Sequence, residues 1–181
     1  HTGRVREIYE RLLAAPVHEG RERWQRMFED ESRQPEFVKS LANAGFQRPE
    51  AAAKTLYEMA RGPGYVHVSA RTSELFSRIL PEIVRAVNPR SIVEHQAEGG
   101  GTTIAGLAEP DEALKQLQRF VESYGSRAVL FEILASNPKA LELLLRLFDN
   151  SRFLAEVVVR EPDLFEEVTR PDILRRQKTR E

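Results

Sequence analysis

The stretch of this sequence with the best potential for chemistry is the glycine-rich segment "EGGGTTIAG" at residues 98–106. In a P-loop, backbone amides after the glycines hold a phosphate, and a lysine and a hydroxyl that follow complete the site. Here Gly99–Gly101 are followed by Thr102 and Thr103, but the next lysine is Lys115. A dinucleotide site would need a strand before the glycines and a helix directly after them, and the sequence predicts neither. We therefore interpret the segment as a connector, with a phosphate-binding enzyme that uses Gly99–Gly101 as an alternative.

The histidines do not have the spacing of a metal site. They are His1, His18, His67 and His95. "HEGRE" at His18 begins like the helix of a zinc protease, but Glu22 occupies the position of the second zinc-binding histidine. The chain has no cysteine, so thiolate ligands and thiol catalysis are excluded. We predict no metal-binding residue.

The acidic residues form runs that are typical of a solvated helix face. One run is Glu29, Asp30 and Glu31, and Glu166 and Glu167 form a pair. General acid and base catalysis needs two carboxylates in one cleft with different environments, which a run on a charged helix does not provide. Trp24 and Phe28 are four residues apart and are expected to anchor a helix. We predict no catalytic and no cofactor-binding residue.

The composition is that of a soluble globular protein of 181 residues, with 41% hydrophobic and 30% charged residues. A net charge of -1 does not favour binding to nucleic acid, and the basic stretch Arg175–Arg180 is short. No apolar run approaches the roughly 20 residues that span a bilayer. We expect a cytoplasmic protein that binds neither membrane nor nucleic acid. Because the first residue is His1, we expect a fragment of a longer protein.

Proline marks the expected helix starts. Six prolines stand in similar phrases: "QPEF" at Pro35, "RPEA" at Pro49, "EPDE" at Pro110, "NPKA" at Pro138, "EPDL" at Pro162 and "RPDI" at Pro171. Proline suits the first turn of a helix, where its missing N–H has no partner to lose, and a following carboxylate favours the positive end of the helix dipole. The irregular spacing argues against a solenoid of fixed period.

Apolar residues recur at helical spacing between these starts. The stripes are Leu75, Phe76, Ile79, Leu80, Ile83, Val84 and Val87; Leu114, Leu117, Val121 and Tyr124; Leu141, Leu144, Leu145 and Phe148; and Leu154, Val157 and Val158. Pro81 lies inside the first stripe and is expected to bend that helix. Tyr65–Ser69 reads as a short extended link. The sequence predicts an all-α helical bundle with a long glycine-rich loop around residues 89–109.

The same pattern divides the chain into four parts. Residues 1–36 are expected to form N-terminal helices. Residues 37–88 form a first helical part, residues 89–109 a loop or tether, and residues 110–181 a C-terminal part of the bundle.

Several phrases in one order resemble the helical region of bacterial glutamine synthetase adenylyltransferases. They are "LANAGFQRPEAAAKTL" at 41–56, "SARTSELFSRILPEIV" at 69–84, "SRAVLFEILASNP" at 126–138, "LLRLFDNSRFLAE" at 144–156 and "EPDLFEEV" at 161–168. Members of this family have two nucleotidyltransferase domains, which use ATP and Mg²⁺, with helical regions between them. Each catalytic domain is marked by Gly-Ser followed by Asp-x-Asp. This sequence has Gly125-Ser126 but no Asp-x-Asp, and a turn between helices explains Gly125.

The resemblance thus implies a non-catalytic regulatory and linker fragment between the two catalytic domains of an enzyme that adenylylates and deadenylylates glutamine synthetase. It also implies that the N-terminal helices of residues 1–36 could end the preceding catalytic domain. It implies glutamine synthetase, PII-type signalling proteins and the other domains of the same chain as partners, and no cofactor in this fragment. A generic helical protein-interaction domain is an alternative. Whether the fragment itself is an enzyme stays open.

Overall fold

The structure is a computed structural model that describes residues 20–62, 69–88 and 106–169, with side chains as far as residue 167. Every regular element in these ranges is helical, and no strand occurs in them. The helices are α1 at residues 20–29, α2 (Gln34–Ala44), α3 (Pro49–Arg61), α4 (Ala70–Val87), α5 (Pro110–Ser123), α6 (Arg127–Ser136), α7 (Pro138–Asn150), α8 (Arg152–Arg160) and α9 (Asp163–Thr169). A 3₁₀ turn at Glu31–Arg33 joins α1 to α2. The predicted all-α class is confirmed.

The proline phrases mark helix starts as expected. Pro35, Pro49, Pro110 and Pro138 each lie in the first turn of a helix, and Pro162 directly precedes α9. Pro171 lies outside the described residues. Because proline has a fixed φ and no N–H, these residues begin the helices without loss of a hydrogen bond.

Gly125 provides the turn between α5 and α6 with a φ of 84°. Residues with a side chain rarely adopt this conformation, so the glycine is explained by the backbone. The first residue of the following helix, Arg127, donates hydrogen bonds to the carbonyls of Glu58 (3.1 Å) and Met59 (3.3 Å) in the last turn of α3. The turn therefore directs α6 towards the end of α3.

Helix α4 is the centre of the bundle and packs against α2, α3, α6 and α7. All seven residues of its predicted stripe are buried. Phe76 connects two layers, because its ring lies 5.5 Å from that of Phe28 in α1 and 5.3 Å from that of Phe131 in α6. Trp24 contacts Phe37 edge-on at 5.9 Å, which agrees with its expected anchoring role. Burial of one such phenylalanine stabilises a fold by about 1.5–3 kcal/mol.

Helix α4 continues through Pro81, which is itself buried. Proline cannot donate to the preceding turn, so one backbone bond of α4 is missing at this point. The next residue, Glu82, is an almost buried carboxylate that pairs with Arg85 at 2.7 Å and with Arg21 of α1. The ion pair with Arg21 joins α1 to the middle of α4. The expected bend at Pro81 stays a prediction.

Helix α5 forms the other part of the core, against α3, α7 and α8. Phe120 lies at its centre, with ring centroids 6.1 Å from Phe148 of α7 and 5.4 Å from Phe165 of α9. One connected cluster of buried side chains extends from Met27 to Phe165. The predicted stripes of α5 and α7 lie in this cluster, apart from Tyr124, which packs against its edge.

The fourth predicted stripe is only partly covered by the bundle. Leu154 is 46% exposed, Val158 packs against the core, and the buried residue of α8 is Ala155. Val157 and Val158 are only partly buried. Arg152, Glu156 and Arg160 lie on one side of this helix, and the apolar side that remains is wider than the part its neighbours cover.

Several other predictions fall outside the described residues. They concern His1, His18, His67, His95, the glycines Gly99–Gly101, most of the link Tyr65–Ser69, and the basic stretch Arg175–Arg180. The division of the chain at residues 89–109 likewise stays a prediction.

Candidate functional site

A groove of about 510 Å³ lies between α1, α4 and α6. Its lining is mostly polar and consists of Arg21, Glu22, Gln25, Leu75, Arg78, Pro81, Glu132, Ala135 and Ser136. A second hollow of about 410 Å³ shares Glu22, Gln25 and Arg78 with the first and extends it along α1. The groove is thus a long surface cleft that α1 borders on one side.

The charged side chains of this groove are paired with neighbours on the protein. Arg78 pairs with Glu74 at 2.8 Å, and Glu132 pairs with Arg71 at 3.2 Å. Arg21 pairs with Glu82, as described above. The arginines at the groove are therefore neutralised by the chain itself, which makes them poor ligands for a phosphate. The groove resembles a polar seam between helices more than an active site.

A different kind of surface occurs on α8. Phe153 is 75% exposed, and Leu154 is 46% exposed. Val157 lies four residues after Phe153 and three after Leu154, so the three side chains share one face of the helix. Ala155 faces the bundle from the other side. We call Phe153, Leu154 and Val157 the outer face of α8.

The neighbouring helices also expose large apolar side chains. Leu143 of α7 is 53% exposed, and Leu164 of α9 is 36% exposed. A phenylalanine as exposed as Phe153 is energetically unfavourable in water, and such residues are common where a protein contacts a partner. The outer face of α8 is the surface of the described chain that suits contact with another protein segment best.

Polar contacts hold this part of the chain in place. The N-terminal cap of α8 is Ser151, whose Oγ accepts a hydrogen bond from the amide of Leu154 (3.2 Å). In α9, the carboxylate of Glu166 accepts a hydrogen bond from the hydroxyl of Tyr124 at the end of α5. Partial burial, together with this carboxylate, raises the pKa of Tyr124 well above its ordinary value. Glu166 was expected to be merely solvated, and the structure instead gives it a bonding role.

The acidic run in front of α2 also has structural roles. Asp30 caps the 3₁₀ turn, because its carboxylate accepts hydrogen bonds from the hydroxyl (2.6 Å) and the amide (3.0 Å) of Ser32. These bonds lower the pKa of Asp30. Glu31 pairs with Arg61, whose guanidinium lies 5.1 Å from the ring of Tyr57. The run thus caps and braces local structure.

Two aspartates that the sequence analysis had not selected hold distant parts of the backbone. Asp111 accepts hydrogen bonds from two amides in front of α3, and Asp149 accepts from two amides in front of α5. The sequence did contain a signal for Asp149. A carboxylate in the last turn of a helix interacts unfavourably with the helix dipole, so a compensating interaction is expected there.

No catalytic or metal-binding arrangement had been predicted for this chain. Among the described residues, no group of three or more histidine, aspartate or glutamate side chains is placed to hold a metal ion. In the same ranges, no helix has the length and apolar character needed to cross a membrane.

Comparison with known proteins gives a consistent set of relatives. The chain is 24% identical over 155 residues to the bifunctional glutamine synthetase adenylyltransferase/adenylyl-removing enzyme of Agrobacterium fabrum, which covers 86% of the chain and 14% of that protein. The enzyme of the same name from Thioalkalivibrio sulfidiphilus is 26% identical over 185 aligned positions, 94% of the chain and 17% of that protein. The one from Pseudomonas aeruginosa is 28% identical over 145 residues, 80% of the chain and 13% of that protein.

No protein-family model matches the chain, and no solved structure matches it. The chain spans only about one sixth to one eighth of the length of these relatives. The similarity nevertheless extends over most of the chain, and the relatives carry the name that the ordered phrases had suggested. The resemblance is therefore confirmed, and the chain is related to one segment of the bifunctional glutamine synthetase adenylyltransferases.

Proposed function

We propose that this chain is a non-catalytic helical module of a glutamine synthetase adenylyltransferase, and that it links and regulates the catalytic domains of that enzyme. The observation that carries the proposal is the extent of the similarity. Between 80% and 94% of the chain aligns with only 13–17% of three relatives. The placement between two nucleotidyltransferase domains comes from the resemblance.

The architecture suits such a role. One buried cluster joins helices from α1 to α9, so the described part can act as a stiff body. A stiff body can transmit a displacement from one end to the other, whereas a flexible linker cannot. In the proposed enzyme, this module sets the distance between the catalytic domains and passes on a shift when an effector protein binds.

The outer face of α8 is the proposed contact surface of the module. Its occupant is either another domain of the same polypeptide or one of the partners implied by the resemblance, glutamine synthetase and a PII-type signalling protein. ATP and Mg²⁺ belong to the parent enzyme in this proposal. No role proposed for this module passes through either group. The module would act in the cytoplasm.

Isothermal titration calorimetry tests direct partner binding. The 181-residue chain is titrated at high micromolar concentration with glutamine synthetase and with a PII-type protein. Phe153→Ser is the contact variant, and Val129→Ser is its control, because Val129 is 48% exposed on α6, away from the outer face. We expect binding that Phe153→Ser weakens and Val129→Ser leaves unchanged. Failure of both partners to bind would leave only a spacer role.

A second experiment separates the module from an enzyme built on Gly99–Gly101. A ligand that binds only the native state raises the melting temperature. We expect no increase with millimolar ATP and Mg²⁺. A clear increase would favour the phosphate-binding alternative.

A further inference from the structure

Two similar segments precede helices α3 and α5. They read "GFQRPEAAAK" at residues 45–54 and "GLAEPDEALK" at residues 106–115. Each has a glycine, an apolar residue that packs on the core, two further residues, and a proline in the first helical turn. The two helices thus begin in the same way. In both, the backbone amides before the first turn need hydrogen-bond acceptors.

In neither helix does the side chain at the N-terminal cap position supply such an acceptor. Arg48 and Glu109 occupy the cap positions, and neither side chain forms a capping hydrogen bond. In contrast, α4, α7 and α8 are capped by Ser69, Asn137 and Ser151. The entries of α3 and α5 are therefore held by groups from elsewhere in the chain.

In both cases that group is an aspartate carboxylate that binds two successive amides. Asp111 accepts from the amides of Gln47 (2.8 Å) and Arg48 (3.1 Å). Asp149 accepts from the amides of Ala108 (2.9 Å) and Glu109 (2.7 Å). Each carboxylate uses one oxygen for each amide, and hydrogen bonds to a charged acceptor are stronger than neutral ones.

The two clamps are connected in series. Asp149 lies in the last turn of α7 and fixes the entry of α5. Asp111 lies in the first turn of α5 and fixes the entry of α3. The position of Asp111 thus depends on where the first turn of α5 lies, and that depends on Asp149.

The placement of Asp149 indicates that this bonding outweighs a local cost. A carboxylate in the last turn of a helix faces the negative end of the helix dipole, which is unfavourable. Asp111, in the first turn of α5, has no such conflict. The sequence keeps an acid at position 149 against the local preference, as expected if its role is to hold the distant amides.

We propose that Asp149 and Asp111 form a linkage in series, in which the end of α7 positions the entry of α5 and, through it, the entry of α3. Helix α8 begins at Arg152, three residues after Asp149. A displacement at the junction of α7 and α8 therefore reaches Gln47, about one hundred residues earlier in the chain. The linkage is a property of the chain itself and does not depend on the proposed function.

Amide hydrogen exchange measured by NMR tests this linkage. In Asp149→Ala, the amides of Ala108 and Glu109 lose their acceptor, and we expect about tenfold faster exchange, as the loss of a hydrogen bond to a charged group predicts. The decisive amides are those of Gln47 and Arg48. They keep Asp111 in this variant, and the linkage predicts that they nevertheless exchange at least about threefold faster.

The reverse variant tests the same coupling from the other clamp. Asp111→Ala removes the acceptor of Gln47 and Arg48, and because a coupling free energy is reciprocal, exchange at Ala108 and Glu109 should also accelerate by about the same threefold factor. The control is Glu122→Ala, which removes an exposed acid from the same helix and should change none of the four amides. The amide of Leu80, in the middle of α4, reports global unfolding and serves as the internal reference.

Three results would overturn the proposal. The first is an unchanged exchange rate of Gln47 and Arg48 in Asp149→Ala. The second is an unchanged exchange rate of Ala108 and Glu109 in Asp111→Ala. The third is a loss of protection at Leu80 by the same factor as at Gln47, which would mean general destabilisation. If Asp149→Ala does not fold, Asp149→Asn, which keeps one acceptor oxygen, is judged by the same criteria.

Discussion

Helices α4 and α8 are both rich in apolar residues, but the fold uses them in opposite ways. Of the 18 residues in α4, ten are buried, and they include its whole apolar stripe. Of the nine residues in α8, only Ala155 is buried, and the largest apolar side chain, Phe153, is 75% exposed. The apolar content of a helix therefore does not determine how much of it is core.

The number of neighbours explains the difference. Helix α4 is surrounded by α2, α3, α6 and α7, so its stripe is covered along its whole length. Helix α8 lies against α5, α7 and α9, on one side only. The side that these neighbours leave open carries Phe153 and Leu154. This comparison leads to four predictions, given in order of decreasing effect on stability.

The largest effect is expected for Phe76→Ala in α4. Phe76 has no exposed surface and touches the rings of Phe28 and Phe131, so truncation leaves a cavity between two layers. We expect a loss of about 3–5 kcal/mol in the free energy of unfolding. Urea denaturation followed by circular dichroism measures this value. A loss below about 1 kcal/mol would contradict the central role of α4.

The second prediction concerns the N-terminal cap of α8. Ser151→Ala removes the acceptor of the Leu154 amide, which should cost about 1 kcal/mol. Because α8 has few neighbours, the loss should appear as faster amide exchange confined to α8. The matched variant is Ser69→Ala at the start of α4, where we expect a similar cost spread over the core. If amide exchange became faster only locally in both variants, or in neither, the predicted difference between α8 and α4 would be wrong.

The third prediction concerns the hydrogen bond from Tyr124 to Glu166, which joins α5 to α9. Tyr124→Phe should cost roughly 0.5–1.5 kcal/mol at neutral pH, since the bond is removed. The pKa of Tyr124 is raised in the folded chain, so the folded state holds the phenol proton more tightly than the unfolded state. The contribution of Tyr124 to the stability of the unsubstituted chain is therefore complete below the ordinary tyrosine pKa of 10.0. It is lost as the pH rises above that value. Tyr124→Phe should show a shallower alkaline loss.

Tyr57→Phe is the matched control for this prediction. Burial also raises the pKa of Tyr57, so its removal should likewise reduce the alkaline loss. Its hydroxyl, however, is buried and has no hydrogen-bond partner among the described residues. At neutral pH we therefore expect no cost, or a small gain in stability. Urea denaturation measures the free energy of unfolding of both variants from neutral pH to pH values above 10. Equal losses for Tyr57→Phe and Tyr124→Phe at neutral pH would contradict this prediction.

The smallest effect on stability is expected for Phe153→Ala on the outer face of α8. The free energy of unfolding should change by no more than about 0.5 kcal/mol, because the side chain is already largely in water. Binding of a dye that recognises exposed apolar surface should decrease. A loss comparable with that of Phe76→Ala would show that Phe153 is covered in solution and would remove the outer face as a contact surface.

Much of the fold was accessible from the sequence because local rules determined it. The prolines at 35, 49, 110 and 138 start helices, since the first turn needs no amide from them. The stripes of α4 and α7 were correct because each concentrates apolar residues on one side. The turn at Gly125 was also expected. Which part of the apolar side of α8 faces the bundle was not predicted, because that side is wider than the part its neighbours cover.

The side-chain contacts described above were harder to predict from the sequence, because their partners lie far apart in the chain. Glu166 looked like a solvated acid because its partner, Tyr124, lies 42 residues away. Asp111 looked like an ordinary first-turn acid, and its bonds to Gln47 and Arg48 cross 63–64 residues. The paired arginines of the groove likewise depend on which helices meet there. No pattern of neighbouring residues encodes these contacts.

The sequence by itself determined that this chain is helical, where most helices begin, and to which enzymes it is related, because propensities, proline placement and ordered motifs are local properties. Only the tertiary structure decided that α4 is central while α8 exposes Phe153, and that Asp149 and Asp111 clamp the entries of α5 and α3. The physical reason is that burial and charge-assisted hydrogen bonds depend on distance in space, which residues far apart in the chain share only after folding.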